Sequence, residues 1–252
     1  LSAQTLDKEF EDLVNAERKS ASKRMSAVIN PDTYNYDVTY HKLEFKVDPA
    51  NFYIDGKVTT TYRAVTDITT LVFDLARITD TSDPNYSNQI EVSSVKMNGN
   101  NLTFTRNDEE IIINLPATQT AGTSATVEIT YAGAPAGSGF GSFITDNHNG
   151  TPVLWTLSEP FGARDWWPCK QDLNDKIESI DVYITAPSQY VAVSNGIETT
   201  TPVINGSNKT TYFHHGFPIP AYLVAIAVTN YTVYNQTAGN APNTYPIINY
   251  IY

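Results

Sequence analysis

The chain has 252 residues, of which 41% are hydrophobic and 17% charged, so it is long and apolar enough to fold around a substantial core. Its formal net charge of −11 disfavours nucleic acid and anionic membrane surfaces as partners. A single Cys excludes an internal disulfide, and no apolar run reaches the ~20 residues of a membrane-spanning helix.

Residues 1 to about 25 differ in pattern from the rest of the chain. Apolar side chains recur at the helical period from Leu6 to Val14, and basic side chains gather from Lys19 to Arg24, where the helix dipole favours cations. This pattern predicts a short amphipathic helix followed by a linker. We therefore divide the chain into an N-terminal helical extension and linker, residues 1–30, and one β domain, residues 31–252.

From Tyr34 onward the sequence is typical of strands, because it is rich in Tyr, Thr, Val and Ile and alternates in polarity between turn residues. The turn residues at 48–51 and 98–100 predict two hairpins. Strands are predicted over residues 34–47, 52–63, 71–75, 90–97, 102–105, 110–115, 125–131, 153–157, 178–185, 190–194, 209–214, 222–234 and 244–252. Short strands at this spacing indicate an all-β fold, either a multi-stranded β-sandwich or a large curved antiparallel sheet.

No motif in the sequence indicates a metal site or a catalytic nucleophile. None of the four His residues has a His or Cys partner at i+2 to i+5, and the adjacent His214 and His215 would point to opposite faces of a strand. Gly-x-Ser-x-Gly is absent, and the glycine-rich residues 136–141 open no helix, so we predict a loop there. Cys169 has no His near it in sequence and is interpreted as a buried structural thiol.

The segment SEPFGARDWWPC, residues 158–169, is the most unusual in the chain, because it holds two of the three Trp residues and the only Cys. Glu159 comes directly after a predicted strand, where side chains reach into clefts. Its carboxylate is therefore a candidate partner for an ammonium group. Its position is equally consistent with a purely structural role in a loop corner.

The remainder of this segment is interpreted first as a packed corner. Arg164, Asp165 and Asp172 are candidates for an internal ion-pair network that holds the loop. Trp166 and Trp167 are neighbours, so at most one of them faces the core if the piece is extended.

Residues 156–172 resemble the signature of the N-terminal domain of the M1 family of zinc aminopeptidases, the leukotriene A4 hydrolase-like domain. That signature reads Thr-Gln-x-Glu/Gln, four residues, Arg, three residues, Pro-Cys-x-x-Asp and then a Lys, which is Lys176 in this sequence. Weaker matches occur in the same order at residues 36–38, 43–45, 56–58, 193–196 and 220–228. The resemblance covers residues 34–252.

The resemblance implies a saddle-shaped β domain that covers the active site of a catalytic domain further along the chain. It implies that Glu159 binds the free α-amine of a peptide, whose positive charge a fixed carboxylate recognises. Leu157 stands where the family often has Gln, which would make the pocket for the first side chain more apolar. The corner that supports Glu159 is then built from five residues: Arg164, Trp166, Trp167, Cys169 and Asp172.

The resemblance also implies that zinc is held by a His-Glu-x-x-His motif plus a distant Glu. These motifs are absent from this sequence, so the chain is expected to bind no cofactor itself and to be inactive alone, with zinc in the downstream domain. The expected partners are the N-terminus of a peptide substrate and the chain's own catalytic domain.

The low Lys content and the wealth of Asn, Thr, Ser and Tyr are typical of a secreted, periplasmic or cell-surface protein. Because the chain starts at Leu1 without an initiating Met, we expect that a signal peptide has been removed. An alternative function is a surface carbohydrate-binding or adhesin-like β-sandwich module. In that interpretation Trp166 and Trp167 form the platform for a sugar.

Overall fold

A computed structural model describes residues 30–137 and 141–252, so the helix predicted within residues 1–25 lies outside the described residues. The strands are β1 (Tyr36–Val47), β2 (Ile54–Ala64), β3 (Ile68–Asp74), β4 (Glu91–Met97), β5 (Asn100–Asn101), β6 (Phe104–Arg106), β7 (Glu110–Gln119), β8 (Ser124–Gly133), β9 (Phe143–His148), β10 (Thr151–Thr156), β11 (Ser179–Pro187), β12 (Val191–Ser194), β13 (Ile197–Glu198), β14 (Val203–Asn205), β15 (Asn208–His215), β16 (Ile226–Thr229), β17 (Thr232–Asn240) and β18 (Asn243–Ile251). Short 3₁₀ turns lie at Pro31–Thr33, Tyr86–Asn88, Ala163–Asp165 and Ala221–Leu223.

A nine-stranded sheet forms one layer of the fold. Its order is β13-β15-β11-β1-β2-β8-β4-β5, with β14 also paired to β15, and all pairs are antiparallel except β1 with β11. In β2 and β11 buried residues alternate with more exposed ones, as expected for strands with one face against a core and one against solvent. The all-β prediction is confirmed.

Two smaller sheets, β3-β7-β6 and β12-β16-β10-β9, share one continuous hydrophobic core with the nine-stranded sheet. Phe73, Ile113, Leu154 and Val228 are among the residues that the smaller sheets contribute to it. The hairpin of β17 and β18 pairs only with itself among the described residues, and most of its side chains are exposed.

Three elements differ locally from the predicted strands. The predicted turn at Asn98 and Gly99 forms, and both residues have positive φ. The strand predicted after it is divided: β5 pairs with β4 in the nine-stranded sheet, whereas β6 pairs with β7 in a smaller sheet. Strand β9 ends in the exposed polar residues 146–148, so its sequence lacks the alternation that would reveal it. The predicted strand at 222–234 is divided into a 3₁₀ turn, β16 and the start of β17.

The described residues contain no helix whose length and hydropathy would suit a membrane span.

Candidate functional site

Glu159 lies just beyond β10, at one end of the four-stranded sheet. Thr156 ends the strand, and the backbone N–H of Leu157 then donates to the carbonyl of Ser142 at 3.1 Å. Glu159 is exposed, and the side chain of Leu157 is 45% exposed. Ser158, between them, is buried. Both candidate binding side chains are therefore accessible to a ligand, while the residue that joins them is fixed in the protein.

The turn that carries Glu159 is closed by hydrogen bonds to Ser158. The carbonyl of Ser158 accepts from the backbone N–H of Gly162 at 2.8 Å, and its Oγ accepts from Nε1 of Trp166 at 2.9 Å. Ser142 packs against the turn and donates from Oγ to the carboxylate of Asp165 at 2.6 Å. These buried bonds fix the backbone on both sides of Glu159.

Gly162→Ala is expected to destabilise the protein by about 1–3 kcal/mol, because overpacking of a filled site forces neighbours to move. A Cβ at Gly162 would lie 2.1 Å from Oγ of Ser142 and 3.2 Å from Cα of Ser158. Urea denaturation measures the effect. The matched control is Gly137→Ala, since a Cβ there meets no atom within 4 Å. Equal stability of the two variants would show that the turn is not tightly packed.

Trp166 and Trp167 are both fully buried. The expectation that at most one faces the core assumed an extended segment, whereas Ala163–Asp165 forms a 3₁₀ turn that directs both rings inward. The Trp166 ring lies 5.2 Å from Phe45, and the Trp167 ring lies 5.2 Å from His41, measured between centroids. Neither ring can stack on a sugar, so the two Trp side chains do not form the platform of the alternative carbohydrate-binding function.

The buried corner also depends on a close approach between two strands. Tyr131 of β8 donates from its hydroxyl to the carbonyl of Trp166 at 3.0 Å. Its ring crosses Gly56 of β2, where a Cβ would lie 2.2 Å from the ring. Because Gly56 has no side chain, the Tyr131 ring can cross it and reach the carbonyl of Trp166.

Each charged residue of the segment has a contact outside the predicted network. Arg164 makes an ion pair with Glu109, which follows β6. Asp165 accepts from Ser142, and Asp172 accepts from the backbone N–H of Asn174 at 2.8 Å. These contacts tie the segment to separate parts of the structure.

Cys169 is fully buried and forms an isolated β-bridge with Asp74, whose backbone N–H donates to the Cys169 carbonyl at 2.8 Å. Burial raises the pKa of its thiol well above the usual value. A protonated thiol without solvent access is a poor nucleophile.

A buried ion pair between Lys170 and Asp175 follows Cys169 and was not found by sequence reasoning. The two charged atoms lie 2.5 Å apart, each side chain is 7% exposed, and the ammonium also donates to the carbonyl of Tyr36 at 2.6 Å. Burial raises the pKa of the Asp175 carboxyl, and the Lys170 ammonium opposes that rise. Lys176, which matches the signature Lys, is exposed.

A second segment, at the start of β16, meets the end of β10. Asn195 bonds to it twice: Nδ2 donates to the carbonyl of Leu223 at 2.9 Å, and Oδ1 accepts from the N–H of Ala225 at 2.7 Å. From the other side, Oγ1 of Thr156 accepts from the N–H of Ile226 at 3.0 Å. The motif Val-Ser-Asn-Gly at 193–196 contains this Asn, but the sequence predicted only a turn there and not the contact.

Within residues 30–137 and 141–252, no group of three or more His, Cys, Asp and Glu side chains is placed to hold a metal ion. The exposed carboxylate of Glu159 and the exposed side chain of Leu157 are the groups that this end of the sheet presents to a ligand.

The family described as Peptidase M1 N-terminal domain matches residues 30–223. No curated protein matches the sequence. The solved structure of an M1 zinc metallopeptidase from Deinococcus radiodurans is similar with a TM-score of 0.71 and 23% identity, over 85% of this chain and 47% of that chain.

Two further structures give the same result. A mutant from D. radiodurans bound to a Tyr-Ser-Ala substrate has a TM-score of 0.70 and 24% identity, over 85% of this chain and 47% of that chain. A two-domain M1 zinc metallopeptidase mutant bound to L-tryptophan has a TM-score of 0.71 and 24% identity, over 85% and 48%. At these identities the similarity establishes the fold, and the chain spans about half the length of these proteins.

Proposed function

Because the chain belongs to the Peptidase M1 N-terminal domain family, we propose that it is the substrate-binding, active-site-capping domain of a secreted M1-type zinc aminopeptidase. The whole protein would remove N-terminal residues from peptides. The observation that carries the proposal is the exposed carboxylate of Glu159 on a turn whose backbone is held by buried hydrogen bonds.

Glu159 would bind the free α-ammonium of the peptide. A charge-assisted hydrogen bond between a carboxylate and an ammonium is stronger than a neutral one, and it strengthens as water is excluded. Fixing the amino end of the peptide determines which peptide bond reaches the catalytic groups, so one residue is released at a time. The fixed turn at Ser158 and Gly162 supports this role because it limits the positions that the carboxylate can take.

The catalytic groups would belong to a downstream domain, as the length of the two-domain M1 relatives suggests. Zinc bound there would polarise the scissile carbonyl and activate water. The contribution of this chain would be to bind and orient the peptide. The 252-residue chain alone is expected to be inactive.

Two further proposals concern the organisation and location of the protein. Residues 31–252 would fold as the β domain, with residues 1–30 as an extension, which limited proteolysis with mass spectrometry tests. The parent protein would be exported, as its composition, low in Lys and rich in Asn, Thr, Ser and Tyr, suggests. Fractionation of the producing cells tests this, and a purely cytoplasmic location would contradict it.

Glu159→Ala in the two-domain protein is expected to lower kcat/KM for peptides with a free amine by about 10- to 100-fold. This is the range for loss of a hydrogen bond to a charged group, since tenfold corresponds to 1.36 kcal/mol. Steady-state kinetics on short peptides measures the effect.

The matched control for this test is Glu178→Ala, which removes the same chemical group from an exposed position preceding β11. It is expected to leave kcat/KM unchanged. If Glu159→Ala behaves like the control, Glu159 does not bind the amine.

A further inference from the structure

The dipeptide Asn-Gly occurs four times in the sequence, each time where one strand passes into the next. The four pairs begin at Asn98 between β4 and β5, Asn149 between β9 and β10, Asn195 between β12 and β13, and Asn205 at the end of β14. Glycine has no side chain, so its backbone nitrogen can reach the side chain of the preceding Asn without hindrance. Each pair is therefore a candidate for spontaneous deamidation.

Deamidation at such a pair requires no reactant other than water. The backbone nitrogen of the glycine attacks Cγ of the asparagine and forms a C–N bond, while the side-chain nitrogen leaves as ammonia and takes up the proton of the attacking N–H. Water then opens the five-membered succinimide to aspartate or isoaspartate. The asparagine side chain must be able to rotate, and the glycine needs space for the ring, so the surroundings of each pair decide whether it reacts.

Three of the four pairs are open. Asn98, Asn149 and Asn205 are exposed, and a Cβ on the glycine that follows each of them would meet no atom of the described residues within 4 Å. Only the Asn149 side chain has a hydrogen-bond partner among the described residues, because its Nδ2 lies 3.0 Å from Nε2 of His148. His148 is itself exposed, so this contact can break without disturbing the core.

The pair at Asn195 has the opposite surroundings. Its side chain is bonded at both polar atoms, since Nδ2 donates to the carbonyl of Leu223 at 2.9 Å and Oδ1 accepts from the N–H of Ala225 at 2.7 Å. The following Gly196 lies against β15, and a Cβ there would lie 2.2 Å from the carbonyl oxygen of His214. Both hydrogen bonds must break, and this packing must open, before the ring can form.

We propose that Asn98, Asn149 and Asn205 are sites of spontaneous deamidation, and that the fold protects Asn195 from the same reaction. Deamidation at each open site adds a negative charge to a chain whose formal net charge is already −11. At Asn195 the product would be harmful to the fold, because a carboxylate cannot donate a hydrogen bond to the carbonyl of Leu223.

The test is peptide mapping by mass spectrometry of the two-domain protein, incubated in mildly alkaline buffer with and without concentrated guanidinium chloride. In the denaturant, all four asparagines are expected to convert at similar rates, because they share the same following residue. In the native protein, Asn195 is expected to convert at least about tenfold more slowly than the other three, since two hydrogen bonds must open first. Released ammonia provides a second measurement.

The matched control is Asn205→Gln, which keeps an amide at an exposed position. The longer side chain would have to close a six-membered ring, so the peptide that contains this position should show no conversion while the other sites react as before. Conversion of Asn195 in the native protein at the rate of the other three would overturn the proposed protection. Failure of Asn98, Asn149 and Asn205 to convert in the native protein, under conditions where the denatured chain reacts, would overturn the proposed sites.

Discussion

Asp175→Asn is expected to lower the free energy of unfolding by about 3 kcal/mol or more, because removal of one partner of a buried ion pair leaves the other charge without compensation. The Lys170 ammonium has two close partners, the Asp175 carboxylate at 2.5 Å and the Tyr36 carbonyl at 2.6 Å. Its side chain is 7% exposed, so water cannot replace the lost carboxylate. Urea unfolding followed by the fluorescence of the buried Trp residues measures the change.

The matched control for the buried pair is a partly exposed pair in the nine-stranded sheet. Lys57 and Glu44 lie 2.8 Å apart, with side chains 37% and 29% exposed. Because exposed ion pairs contribute about 0–1 kcal/mol, Glu44→Gln should change stability little. The double variant Lys170→Met/Asp175→Leu should recover much of the loss, since an apolar pair leaves no buried charge. The prediction fails if Asp175→Asn is no more destabilising than Glu44→Gln.

Most of the strands could be predicted from the sequence, because burial on one face of a sheet leaves an alternating pattern. β2 and β11 carry it over nearly their whole length. In β1 the pattern changes phase: Tyr36 and Val38 are buried, and so are Leu43 and Phe45, because the register shifts after Val38. That shift is visible in the sequence only as a break in the alternation.

The partners of buried polar groups could not be predicted, because they are distant in sequence. Lys170 and the Tyr36 carbonyl, which are hydrogen-bonded, are 134 positions apart in the sequence. Trp166 is hydrogen-bonded to Ser158 through its indole N–H and to Tyr131 through its carbonyl. A Lys among Pro, Cys and Asp gives no local sign of burial. The same holds for both Trp rings, whose inward direction depends on a 3₁₀ turn that has no strong sequence signal.

The candidate site also contains some residues that the sequence identified and some contacts that it did not. Glu159 and Leu157 were identified by the resemblance of their segment, and their accessibility follows from the end of β10. Their roles remain predictions, and Glu159→Ala tests the first of them. The segment at the start of β16 meets the end of β10 only through the tertiary fold, in a contact between Thr156 and Ile226 across some 70 residues of chain.

Acid is expected to destabilise the protein through His41, which lies inside the core after the register shift in β1. His41 is 1% exposed, its Nδ1 shares a 2.9 Å hydrogen bond with Oγ1 of Thr60, and its ring meets the edge of Trp167. Burial lowers the pKa of His41 from 6.5 to about 3, because the charged imidazolium loses its hydration in the core. Below pH 6.5 the unfolded chain therefore binds a proton that the folded chain does not.

The contribution of neutral His41 is complete above pH 6.5 and is lost as the pH falls toward the folded value, at about 1.4 kcal/mol per unit. Between pH 6.5 and pH 5 the loss is therefore about 2 kcal/mol.

Carboxylates also titrate in acid, so the measurement is the difference in urea stability between the wild type and His41→Gln at each pH. That difference should change by about 2 kcal/mol over this interval, in favour of the variant at low pH. His148→Gln, which removes an exposed His and keeps His41, should follow the wild type. A gap between wild type and His41→Gln that stays constant with pH would show that His41 accepts a proton in the folded protein as readily as in the unfolded chain.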